Sequence, residues 1–122
     1  MKVLLGIGGT DDSLDALERI TDRIAVTGDE LTIAVVDNPD SSSSPEDVEE
    51  TARETVRDAS IDAEVRRVTG DGGSRLVEIA ETEGFDQIAL GGGQLSPMGK
   101  INLGRISEFV LLNAMVSVRL VR

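Results

Sequence analysis

The sequence has no cysteine, no histidine, no tryptophan and no tyrosine. Phenylalanine occurs only at Phe85 and Phe109, and lysine only at Lys2 and Lys100. Without thiols there is no disulfide, no cysteine nucleophile and no Cys-ligated zinc or iron–sulfur site. Without imidazole there is no Ser-His-Asp triad and no His–metal site. A metal would need oxygen ligands, which favours Mg²⁺ or Ca²⁺. No apolar run approaches the about 20 residues of a membrane-spanning helix. The opening MKVLLGIGGTDD turns acidic too soon for a signal peptide. The expectation is one cytoplasmic domain over residues 1–122, with a real core and no membrane partner.

What the chain has in excess is negative charge, a formal −11 over 122 residues. Residues 1–87 hold 22 acidic groups against 8 basic ones, whereas residues 88–122 hold Lys100, Arg105, Arg119 and Arg122 against Glu108 alone. So acidic a body excludes general binding to nucleic acid, which needs cations against phosphate. Two readings of the acidity stand side by side. One is an ordinary solvated surface; the other is adaptation to a halophile's salty cytoplasm, where screening removes self-repulsion.

Hydrophobic periodicity alternates between strand and helix. Lys2–Ile7 is a short apolar run, as a buried parallel strand should be. Thr10 caps a helix that starts with Asp11 and Asp12 and carries Leu14, Leu17, Ile20 and Ile24 at helical spacing. Leu31–Val36 is the second strand. NPDSSSSP (38–45) is a surface loop, with Ser44 as N-cap and Pro45 in the first helical position. The helix that follows has the stripe Val48, Ala52, Val56 and Ala59. Ala63–Val68 is a partly polar third strand, suited to a sheet edge. Gly70–Gly73 reads as a turn and Ser74–Glu83 as a helix. Asp86–Leu90 is the fourth strand, Gly91–Leu103 a glycine-bearing loop, Gly104–Asn113 a helix and Val116–Val121 the last strand. The order β-α-β-α-β-α-β-α-β predicts an α/β fold: a five-stranded parallel sheet with helices on both faces. Ligands bind such sheets at the carboxyl ends of the strands. Both glycine-rich strand-to-helix loops, Gly6–Thr10 and Gly91–Gly104, lie on that edge.

The second loop suits an anion. Gly91, Gly92 and Gly93 allow close backbone approach, Gly104 opens a helix, and Lys100 and Arg105 bring positive charge. Taken alone, the same glycines also suit plain turns.

The element order and the ending GGGQLSPMGKINLGRISEFVLLNAMVSVRLVR resemble the universal stress protein family of the UspA type, over the whole chain. The resemblance implies an adenine nucleotide alpha hydrolase-like fold, a homodimer, and ATP or AMP as ligand, with Mg²⁺ only alongside ATP. Laid on this chain, the family's motif G-x2-G-x9-G-[S/T] puts Gly91 first. Gln94 replaces the second glycine, Gly104 matches the third, and Arg105 replaces the hydroxyl residue. Gly8 stands where ATP-binding members commonly carry Asp, and Val35 at the position of a backbone contact to adenine. The implied binding set is Gly6, Ile7, Gly8, Gly9, Thr10, Val35, Leu90, Gly91, Gln94, Lys100, Gly104, Arg105 and Ile106. Arg105 removes a hydroxyl but supplies a guanidinium.

Two function classes follow: a regulatory stress-response module that binds a nucleotide, and a ligand-free homodimeric interaction protein that has lost the pocket. Neither is an enzyme. No residue is an obvious base for activating water, so any ATPase activity is weak. GGTDDS (8–13) is similar to the S-G-G-x-D-S loop of ATP pyrophosphatases but has Ile7 for its first Ser and one residue too many. A phospho-receiver site built on Asp11, Asp12 and Asp37 lacks an acceptor Asp after the third strand and a Lys on the fifth. The terminal strand Val116–Val121 is the expected homodimer contact, as an open edge invites pairing.

Overall fold

The computed structural model describes residues 1–39, 41–92, 94–95, 101–102 and 104–121. Five strands form one parallel sheet: β1 (Lys2–Ile7), β2 (Glu30–Val36), β3 (Ala63–Val68), β4 (Gln87–Gly91) and β7 (Ser117–Val121). Their order is β3-β2-β1-β4-β7, so β1 is central and β3 is an edge, as its polar pattern predicts. A short antiparallel pair, β5 (Gln94–Leu95) with β6 (Ile101–Asn102), lies within the segment read from sequence as a plain loop.

Side-chain alternation on β1 and β2 divides the core into two layers. Val3, Leu5 and Ile7 of β1, with Leu31, Ile33 and Val35 of β2, pack under α1 (Asp11–Thr27) and α2 (Pro45–Asp58). Leu4, Ala34 and Val36 face the opposite way, under α3 (Gly72–Thr82) and α4 (Arg105–Asn113). On α1 the buried stripe is Ala16, Leu17, Ile20 and Ile24. On α2, Val48 and Ala52 are buried and Val56 is partly so, while Ala59 falls at the C-cap.

Caps set the helix starts. The hydroxyls of Thr10 and Ser44 accept from the N–H groups of Ser13 and Asp47, at 3.2 Å in both cases, and Pro45 follows Ser44. The third helix corrects the sequence reading. It begins at Gly72, not Ser74, because Asp71 is its cap and accepts from the Ser74 N–H at 3.0 Å and the Ser74 hydroxyl at 2.8 Å. The stretch read as a turn therefore contains both the cap and the first helical residues. These bonds hold the Asp71 carboxyl below its ordinary range.

No helix among the described residues is long and apolar enough to cross a membrane. They also contain no cluster of three acidic residues arranged to hold a metal.

Candidate functional site

At the carboxyl edge of the sheet the ends of β1 and β4 meet the start of α4 around a chamber of about 130 Å³. Gly6, Ile7, Gly8 and Thr10 form one side, Leu90, Gly91 and Gly92 a second, and Gly104, Arg105 and Ile106 a third. These contributions from separate parts of the chain include nine of the thirteen residues in the implied binding set. Gly9 follows Gly8 but does not line the chamber, and Val35 is buried beneath α1 while its neighbour Val36 reaches the wall. Gln94 belongs to the short β5 strand. Lys100 lies outside the described residues.

Five lining residues were not picked out from the sequence as ligand contacts: Asp12, Ser13, Val36, Asn38 and Ser107. Ser13 is 6% exposed, and its hydroxyl accepts from the N–H groups of Gly9 at 3.1 Å and Gly8 at 3.4 Å while donating to the Thr10 carbonyl at 2.9 Å. The glycine-rich turn after β1 is thereby closed upon itself. Its position three residues after the N-cap was the available signal, since a hydroxyl there can fold back on the turn. Ser107 is equally buried and donates to the Gly91 carbonyl at 3.4 Å, tying α4 to the end of β4.

Gly91 serves close packing. A Cβ there would lie 2.2 Å from the Asp12 carbonyl oxygen and 2.8 Å from the Ser13 Cα, so only glycine lets β4 run against the first turn of α1. Gly104 is different. It is the N-cap of α4, it supplies no side-chain bond, and a Cβ there would meet nothing within 4 Å among the described residues. The caps of α1, α2 and α3 all provide a side-chain acceptor. The positive end of the α4 dipole therefore opens on the chamber beside the Arg105 guanidinium, an arrangement that favours an anion. Asp12 on the facing wall bears the opposite charge and limits how many negative groups fit.

A second chamber, of about 470 Å³, lies between the loops after β2 and β3 and the face of α4. Asn38, Arg105 and Ile106 line both spaces.

Comparison with solved structures shows the same fold across kingdoms. A universal stress protein from Archaeoglobus fulgidus aligns with a TM-score of 0.75 at 18% identity, covering 100% of this chain and 98% of that one. A universal stress protein in complex with cAMP aligns at 0.74 and 24% identity, covering 100% and 97%. A family protein from Arabidopsis thaliana with AMP bound aligns at 0.71 and 15% identity, covering 99% and 90%. Comparison with curated protein sequences gives no match. The sequence profile described as Universal stress protein family matches residues 1–122, and the chain belongs to that family.

Proposed function

We propose that this protein is a non-catalytic regulatory module that binds a nucleotide through its phosphate at the amino end of α4. The observation that carries this reading is Gly104. No described residue crowds a Cβ there, and it gives the helix N-terminus no side-chain cap, beside Arg105 at the wall of a chamber. Family structures bound to cAMP, dAMP and AMP support the ligand class. The residues fit a singly phosphorylated ligand best, because one guanidinium and one helix end face a chamber that also holds Asp12. ATP is the family alternative, and Mg²⁺ would accompany it.

Calorimetric titration with ATP, ADP, AMP and phosphate tests the reading. Saturable binding weakened by Arg105→Ala or Gly104→Val is the expected result. Absence of binding at millimolar ligand would leave the other reading, a ligand-free interaction protein. The self-satisfied turn at Gly8 and Gly9 favours that second reading, because its N–H groups are already spent on Ser13.

Assembly as a homodimer through β7 belongs to the same proposal. β7 is the outer strand beside β4, and Leu112 and Met115, just before it in the chain, are 77% and 85% exposed. Pairing of two such edges about a two-fold axis would cover them. Light scattering should show a dimer in the wild type and a monomer in Val118→Pro, which loses a strand donor.

A further inference from the structure

The five-stranded sheet has two outer strands, and their edges are treated differently. β1, β2 and β4 each have a strand on both sides, whereas β3 is bonded to β2 alone and β7 to β4 alone. On each outer strand one row of backbone groups therefore has no strand partner, and such a row pairs readily with an extended segment of another chain. On β3 a side chain takes part of that row. Arg53 of α2 follows the buried Ala52, reaches the edge of the sheet and donates from Nη2 to the Val65 carbonyl at 3.1 Å. Glu49, one helical turn earlier, steadies the guanidinium by accepting from Nε at 3.2 Å and from Nη2 at 2.8 Å. The charges of β3 itself are tied to both helix layers. Arg67 pairs with Glu46 of α2 at 3.9 Å, and Arg66 pairs with Glu83, the C-cap of α3, at 2.8 Å. Pairs as exposed as these add little to stability. What they do is put charged side chains in the path of a strand approaching β3 from outside. Among the described residues, no side chain bonds to the backbone of β7 and Arg119 has no ion pair.

We propose that Arg53 is an edge guard: by occupying the Val65 carbonyl it keeps a second copy of this chain from adding to β3, and so confines self-association to the other edge. The inference does not depend on any ligand, and the experiment separates it from pairing through β7. Light scattering at equal protein concentration is carried out on the wild type, Arg53→Ala, Val118→Pro and the double variant. Arg53→Ala should have at least about twice the wild-type mass, because a second edge becomes free to pair about its own two-fold axis. The double variant should be a dimer where Val118→Pro alone is a monomer. Amide hydrogen exchange over residues 63–68 should slow in the larger species, which locates the new contact at β3. A monomeric wild type would remove pairing at β7 and leave this inference standing, provided that Arg53→Ala then forms a dimer. If Arg53→Ala fails to fold, Glu49→Ala decides, since it frees the guanidinium and should give the same growth to a smaller extent. Masses unchanged by loss of the guard, or growth without protection at residues 63–68, would overturn the proposal.

Discussion

The two glycine-bearing loops at the carboxyl edge of the sheet look alike in sequence and do different work. The turn after β1 is closed: Ser13 accepts from Gly8 and Gly9, and Thr10 caps Ser13. The approach to α4 differs: Gly104 gives its helix no side-chain cap, and no described residue stands within 4 Å of where its side chain would begin. Gly91 lies between them in function, since it starts the second loop and yet is required for packing against the closed one. Glycine in a loop therefore says nothing about ligands until its neighbours are known. A glycine that packing demands is structural, and one that packing does not demand is left to function.

Substitutions can break this contrast. Gly91→Ala should have the largest effect, because the added methyl would press on the α1 backbone, which cannot swing aside like a side chain. A loss of about 3 kcal/mol is expected, seen as a fall of about 10 °C in thermal midpoint. Ser13→Ala should cost about 1–2 kcal/mol by leaving two turn donors without their acceptor. Phosphate affinity should persist in this variant if the anion site belongs to α4, and its loss would show that the closed turn takes part.

A second contrast is electrostatic, between the acidic residues 1–87 and the basic residues 88–122. If the acidity is an adaptation to salt, the thermal midpoint should rise by a few degrees from about 0.1 to about 2 M KCl, as the Debye length falls to about 3 Å or less. A flat profile would leave ordinary solvation as its explanation. Acid provides a finer probe. Hydrogen bonds from Ser74 hold Asp71 below its ordinary value, and those from Arg66 do the same for Glu83. Both carboxyls are at the surface, so the effect is small. Folding depresses both, so their stabilisation is complete above the ordinary carboxylate value near about 4 and is lost as pH falls through the depressed native values. Asp71→Asn should therefore flatten the decline in thermal midpoint on acidification below about pH 4.

Gly104→Asp sharpens the first contrast with the least effect on stability. A new N-cap carboxylate should change folding by only a few tenths of a kcal/mol, or slightly stabilise it. It would also put a negative charge in the anion site, so phosphate binding should fall by more than about tenfold. Unchanged phosphate affinity would remove α4 from the site.

The alternation of apolar runs with helical stripes made the strand order along the chain legible, since each period reflects which face of an element is buried. Caps that use their own side chain, such as Thr10 and Ser44, were legible for the same local reason. Asp71 was missed because two glycines after it resembled a turn, and only the bonded Ser74 reveals the helix. The two-layer core and the edge position of β3 follow from the pattern once the sheet is assumed. Local sequence could not distinguish Gly91 from Gly104, nor bring Asn38 and Phe109 to neighbouring walls. Those distinctions depend on what lies a few ångströms away across the fold, where Asp12 crowds one glycine and no described residue crowds the other. A residue's own conformational preference is written in the chain, whereas the space available to it is set by segments distant in sequence and exists only after they have packed.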